Sequence, residues 1–363
     1  MENLVGMNNY RIPIFRPRLP TFSQIEPYLK RIDNARIYSN FGPLEKEVVI
    51  RISDYLGMPA TNIATCANAT LALEGALETS VGSLNWELPS WTFTATASAV
   101  ARSRRYGKFV DVDKFWRMGI TSSSEQVIDV LPFGATPRSA EFYSQANLKN
   151  VVIDAAASFD SLKEIQLNAN VSISGVISFH ATKVLPAGEG AIFFSNDESW
   201  SSRFTSWTKF GMRETRNSEN VGTNSKLSEY HSAVLLASLD AWDNDRERWT
   251  EQQSIAYKLA KKYDLKLEPN FNVGTATPYF ILVFESFDKR ERMRDICDSI
   301  GIQTRLWWES GCHEMPAYSK FERSDLSNSE FAGKVYLGLP FWIDMQVEDW
   351  KLIENAFLNF SSR

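Results

Sequence analysis

The chain has 363 residues, 44% of them hydrophobic and 23% charged, with a formal net charge of -5. That length accommodates two domains, or one large domain with a smaller companion. An acidic balance without a long basic block excludes nucleic acid and anionic membrane as expected partners. No apolar run approaches a membrane span, and Met1–Pro13 lacks the basic-then-apolar order of a leader. Cys66, Cys297 and Cys312 are widely spaced and there are only three histidines, so neither a disulfide framework nor a metal pattern forms. A reducing cytoplasm is the expected compartment.

In chain order, the first clear element is a helix over Pro43–Tyr55. Leu44, Val48, Ile52 and Leu56 recur at helical spacing, Pro43 suits the first turn and Gly57 the stop. Asn68-Ala69-Thr70 opens a second helix through Leu77. Short apolar or β-branched runs follow, each trailed by a helical or turn segment: Trp86–Leu88, Lys108–Val112, Val127–Leu131, Val151–Asp154, Val176–Phe179 and Ala191–Phe194. Strands alternating with helices predict a mainly parallel sheet covered on both faces. From Lys226 to about Tyr263 two consecutive helices are expected, leading to a C-terminal unit. That unit is read as a β run at Tyr279–Phe284, a helix at Arg290–Ile300, a β run at Thr304–Trp308, a polar loop at Ser324–Ser329 and a final amphipathic helix at Val347–Phe360. The division is expected at 1–245 for the N-terminal segment and large domain and 246–363 for the small one.

In sheets of this kind ligands sit at the carboxyl ends of strands, and Thr70, Phe93, Asp154, Ser178 and Lys183 all fall at or just past such ends. Val151-Val152-Ile153-Asp154 puts an acid at the end of a short apolar strand. Lys183 follows another strand in Ser178-Phe179-His180-Ala181-Thr182-Lys183, ahead of the small-residue stretch Pro186–Gly190. These are the two protein groups that pyridoxal phosphate needs: an amine for its aldehyde, and a carboxylate to keep its ring nitrogen protonated so that the ring acts as an electron sink. Taken singly, a loop lysine and a strand-end aspartate have blander readings, a solvated charge and a turn cap. Together they point to the cofactor. Asn68-Ala69-Thr70 at a helix start offers N–H groups to a phosphate, and Ser178 adds a hydroxyl.

The blocks Asn40–Pro43, Asn68–Leu73, Pro89–Thr96, Phe109–Asp113, Leu131–Gly134, Asp154–Ala156, Ser178–Lys183 with Gly188–Gly190, Gly222–Glu229 and Gly301–Arg305 run nearly end to end. In that order they resemble the sugar aminotransferase family named after the DegT, DnrJ, EryC1 and StrS proteins. The resemblance implies the type I fold of pyridoxal-phosphate enzymes (aspartate aminotransferase-like, α/β): a large domain with a mostly parallel sheet flanked by helices, and a small C-terminal α+β domain. It implies a homodimer with shared active sites. It also implies transfer of an amino group from L-glutamate to a keto sugar nucleotide, with a dTDP-4-keto-6-deoxyhexose as the nearest match, for surface polysaccharide such as lipopolysaccharide O-antigen or for glycosides. Position by position, Lys183 matches the Schiff-base lysine, Asp154 the partner of the ring nitrogen and Phe93 the aromatic stacked on the ring. Ala69, Thr70 and Ser178 match phosphate contacts, with Asn68 beside them, and Asn224 matches a residue reaching the phosphate from the other subunit. His313 and Tyr318 fall where the family places a substrate-side loop. Arg213, Arg216, Lys226 and Arg305 are the candidate partners of the nucleotide diphosphate, although each alone reads as a solvated charge.

Three positions depart from the family pattern. Ala157 replaces a residue able to contact the cofactor hydroxyl, leaving Ser158 or a water for that contact, and Ala69 and Ala191 stand at usual glycines. Two enzyme alternatives use related chemistry. A sugar dehydratase of this fold carries His in place of the lysine, and Lys183 argues against it. A cysteine desulfurase places its lysine directly after its histidine, whereas two residues separate His180 from Lys183 and Cys312 lacks an activating context. A non-catalytic regulatory protein that binds a sugar nucleotide is the reading from another class, and retention of both Lys183 and Asp154 speaks against it.

Overall fold

A computed structural model describes residues 10–121 and 123–362; Met1–Asn9, most of the segment in which a leader was sought, lie outside the described residues. Helices α1 (Phe22–Ala35) and α2 (Pro43–Leu56) precede β1 (Ile63–Cys66), α3 (Ala69–Thr79), β2 (Asn85–Pro89), α4 (Thr94–Arg102) and β3 (Tyr106–Val110). Then come β4 (Gln126–Val130), α5 (Ala140–Gln145), β5 (Asn150–Asp154), β6 (Ser172–Ser178), β7 (Ala191–Ser195) and α6 (Glu198–Thr208). The chain continues through α7 (Glu229–Asp240), α8 (Trp242–Lys262), β8 (Lys266–Leu267), β9 (Phe280–Val283) and α9 (Phe287–Ser299), and ends with β10 (Glu322–Arg323), α10 (Ser327–Val335), β11 (Tyr336–Leu339) and α11 (Val347–Ser361).

Eight strands form one sheet in the order β1-β7-β6-β5-β4-β2-β3-β10, and β11-β9-β8 form a second. Every pairing from β6 through β10 is parallel, and β7 alone runs against both its neighbours. The apolar run Val151-Val152-Ile153 shows why no polar/apolar alternation marks this sheet. Val151 and Ile153 pack into the cluster holding α2, α7 and α8, while Val152 packs on the opposite side with α3, α4 and α6. Both faces are covered, so both sets of side chains are apolar. The α2 stripe is realised as well: Leu44, Val48, Ile52 and Leu56 are all buried, each contributing about 1.5–3 kcal/mol. The expected 245/246 division falls in the first turn of α8.

Two expectations are corrected. Thr304–Trp308 is not a strand. Only Arg305 bridges Gly338, and the backbone then turns through the left-handed region at Trp308 and Glu309 while both tryptophans join an aromatic cluster. The polar stretch Ser324–Ser329 is not all loop, because Ser327–Ser329 start α10. Asp111, far away in sequence, accepts the N–H groups of Asn328 and Ser329 at 2.9 and 2.7 Å, an N-terminal cap supplied by another part of the chain. Helix α1 and strands β1, β8, β10 and β11 lie outside the expected elements; α1 carries an internal proline, yet Ile25, Tyr28, Leu29 and the buried Ile32 form its stripe against the core.

Candidate active site

The topology gathers the strand ends at one edge. Asp154 ends β5 in register with Val176 of β6, and Ser178 ends β6 in register with Ala191 of β7, which pairs with Cys66 at the end of β1. Side chains alternate along a strand, so Asp154 shares the side of Val152, the side covered by α3 and α4. There Thr96 of α4 donates to its Oδ2 at 2.7 Å, and the Ala156 N–H donates to Oδ1 at 3.2 Å. Asp154 is 6% exposed and forms no salt bridge among the described residues. Burial pushes its carboxyl above the usual carboxylate range, opposed by Thr96, the Ala156 N–H and the charge of Lys183. A buried carboxylate without a cation in contact suits a protonated ring nitrogen.

Four residues after the end of β2, Phe93 is 57% exposed. It is therefore not a core aromatic; it stands at the N-cap of α4, three residues from Thr96. Asn68 caps α3, its Oδ1 accepting the Leu71 N–H at 2.9 Å. The Ala69 and Thr70 N–H groups find no acceptor among the described residues, as at any helix start, and remain available to an anion. Ser178 accepts the His180 N–H at 3.3 Å.

Lys183 lies in a tight turn. Its N–H donates to the His180 carbonyl at 2.9 Å, and a bridge between His180 and Gly188 closes the loop. Gly188 has φ of +83°, a left-handed conformation that favours glycine. The half-buried Lys183 points its Nζ to the Tyr279 hydroxyl, 3.3 Å away. Tyr279 packs edge-on against Phe133 and Trp307. It was not anticipated as a site residue; its only signal was its place at the start of the expected β run at Tyr279–Phe284.

The remaining candidates fall in three places. His313 is buried, its Nδ1 2.6 Å from Ser90 Oγ, and the Tyr318 hydroxyl is 2.6 Å from Thr94 Oγ1. Both brace the loop that carries Phe93. Arg305 is exposed, its guanidinium lying 4.7 Å over the Trp307 ring. Asn224 is exposed on a two-stranded arm, bridged to Lys209 and accepting from the Lys226 ammonium. Arg213 pairs with Glu219 at 3.3 Å on that arm, and Arg216 is exposed there. Ala157 presents only a methyl, and Ser158 Oγ is buried without a hydrogen-bond partner. Burial pushes the Cys312 thiol up to about 12, so it is not a thiolate nucleophile near neutral pH.

The profile of the DegT/DnrJ/EryC1/StrS aminotransferase family matches residues 22–357. The chain belongs to that family. It is 26% identical over 342 residues to the UDP-2-acetamido-2-deoxy-3-oxo-D-glucuronate aminotransferase of Pseudomonas aeruginosa, covering 88% of this chain and 91% of the relative. It is 30% identical over 252 residues to protein Rv3402c of Mycobacterium tuberculosis, which is 64% of this chain; the match spans 61% of that relative's length. The fold matches a putative PLP-dependent aminotransferase from Bacillus cereus with a TM-score of 0.85 at 24% identity, covering 95% of this chain and 99% of that one. The member described here thus has the pyridoxal-phosphate aminotransferase fold, and one sheet edge carries a buried carboxylate (Asp154), an exposed ring (Phe93), a hydroxyl (Ser178) and a half-buried amine (Lys183), chemical types that suit such a cofactor. Among the described residues no helix is long and apolar enough to cross a membrane.

Proposed function

We propose that this chain is a pyridoxal-phosphate-dependent transaminase that moves an amino group from L-glutamate to a keto sugar carried on a nucleotide. The observation that carries the reading is the pairing of a half-buried lysine amine with a buried carboxylate held by Thr96, at one sheet edge, in a chain of this family. When bound, the cofactor supplies an aldehyde that accepts nitrogen and a ring that draws electron density from the carbon losing its proton. Asp154 holds the proton on the ring nitrogen. Ala69, Thr70 and Ser178 hold the phosphate, Asn68 fixes the helix start, and Phe93 lies against the ring. The Lys183 amine would engage the aldehyde and would serve as the base that takes the proton from the donor's α-carbon. The Pseudomonas relative is named for a 3-oxo sugar on UDP, and the Ser178–Lys183 segment resembles members acting on dTDP-4-keto-6-deoxy sugars. Turnover of a panel containing both, with glutamate and a mass readout, tests the proposal. Formation of 2-oxoglutarate and an amino sugar from any member supports it; a purified protein that stays colourless after reconstitution and converts none favours the regulatory reading.

Tyr279 is proposed as the positioning partner of the Lys183 amine. Tyr279→Phe keeps the ring packing against Phe133 and Trp307 but removes the hydroxyl. We expect kcat to fall on the order of tenfold with an altered pH profile and unchanged cofactor content. An unchanged pH–rate profile assigns Tyr279 to packing alone.

A homodimer with shared sites is the proposed assembly, in a cytoplasmic compartment that suits three buried free cysteines, with units 1–245 and 246–363 joined through α8. The arm supports it: Phe210 is 47% and Val221 87% exposed, apolar side chains that a second subunit would cover. At the arm's base, a Cβ at Gly222 would meet the Trp207 carbonyl oxygen at 2.5 Å, so glycine permits the crossing. If Asn224 reaches the partner's phosphate, Asn224→Asp and Lys183→Ala are each inactive, and mixing with subunit exchange restores about a quarter of wild-type activity. Exchange without recovery places Asn224 in its own chain's site, beside the Ala67 N–H that donates to Ser225 O at 2.7 Å.

A further inference from the structure

A cleft opens beside Lys183, between the N-terminal segment, the lysine loop and the C-terminal unit. Arg16, Arg18, Thr182, Lys183, Pro278 and Trp342 line it. Its charges are unevenly matched. Arg18 pairs with Asp245 and, at 3.5 Å, with Asp344, while Arg248 reaches the same two carboxylates. Two arginines and two aspartates cancel. Arg16 has no carboxylate partner among the described residues, so its charge is left over. Its guanidinium stacks 4.9 Å from the ring of the buried Trp342. Stacking holds the planar group in place and leaves its edge donors free for an anion.

We infer that this cleft is the donor amino-acid site, with Arg16 as the partner of a glutamate carboxylate. The inference deepens the proposed transamination and rests on it. Distance along the substrate separates this anion from the other one. Glutamate's α-carboxylate is one bond from the carbon that must meet the Lys183 amine. The diphosphate of a nucleotide sugar lies beyond a sugar ring from its reacting carbon. A cationic cleft lined by Lys183 itself therefore matches the amino acid. Arg18 is already paired and contributes no unmatched charge. A guanidinium–carboxylate contact is charge-assisted and planar, and it responds strongly to truncation of either side.

The test uses the cofactor-loaded enzyme. Calorimetry measures glutarate, a dicarboxylate without an amine, and UDP and dTDP; stopped-flow absorbance measures the half-reaction with glutamate. Arg16→Met raises the glutarate Kd and the half-saturating glutamate concentration by on the order of 10- to 100-fold. Arg16→Lys recovers part of that loss, and UDP and dTDP bind the variants as they bind the wild type. The inference is overturned if Arg16→Met, folded as judged by an unchanged Tm, binds glutarate normally, if the loss falls on the nucleotides instead, or if the wild type binds no glutarate. Normal glutamate turnover in Arg16→Met sinks the inference and leaves the transaminase reading standing. Glutarate binding through Arg16 without any reaction of glutamate does the reverse.

Discussion

Lys183→Ala abolishes turnover, by at least about 10⁴-fold, in a protein that still folds. The magnitude follows from two roles carried by one atom. In the proposed reaction the Lys183 Nζ would engage the cofactor aldehyde and would also move the proton at the donor carbon, and general acid–base transfer alone contributes about 10²–10⁴-fold. The fold survives because the side chain has few obligations. Its backbone N–H to the His180 carbonyl is kept by alanine, and its one side-chain hydrogen bond among the described residues is the 3.3 Å contact with Tyr279. A half-buried position with so little to lose is expected to change stability by about 0.5 kcal/mol or less. The variant should retain its Tm, lose the yellow colour of the lysine-linked cofactor and form no 2-oxoglutarate. Turnover within tenfold of wild type in this variant would remove Lys183 from the chemistry and reopen the regulatory reading.

How much of this site the sequence displays depends on how local each part is. The Lys183 loop is read from one stretch, because strand, turn and glycines are consecutive. Asp154 is equally visible, since an acid ending an apolar run has a position fixed by strand alternation. Asn68 announces itself as a cap. Phe93 shows less: nothing in Trp91-Thr92-Phe93-Thr94 distinguishes an exposed ring from a buried one, and the neighbouring Trp91 is buried. Tyr279 and Arg16 are not visible at all as site residues. Tyr279 meets Lys183 across 96 positions, and Arg16 reaches the cleft only because the N-terminal segment lies along the C-terminal unit, with Ile12 bridged to Ile302. The misread Thr304–Trp308 run has the same origin. Its β-branched and aromatic residues carry strand propensity, yet Trp307 and Trp308 pack around Tyr279 and Phe133, and tertiary packing overrides the local preference.

Asp154→Asn separates the cofactor's need from the chain's. In the loaded enzyme the substitution removes the charge that keeps the ring nitrogen protonated, and kcat should fall on the order of 10²-fold or more. In the empty protein the same charge is a burden. Burial raises the Asp154 carboxyl above its unfolded value, so the folded chain holds that proton more tightly than the unfolded one. Its contribution to stability is complete below the unfolded carboxylate pKa and is lost as pH rises through the raised folded value. Asparagine never ionises and escapes that loss. The site also accepts it: Oδ1 can keep the Ala156 N–H, and Thr96 can accept from the new amide while donating to Thr92 Oγ1, 3.0 Å away. The cofactor-free Asp154→Asn protein should therefore have a higher Tm than cofactor-free wild type at pH 7, with the difference closing toward pH 4. With cofactor added, the order should invert, because only wild type offers a carboxylate to the protonated ring. A variant that is less stable than wild type without cofactor, yet turns over normally with it, would mean that Asp154 serves the sheet edge and that another group faces the ring nitrogen.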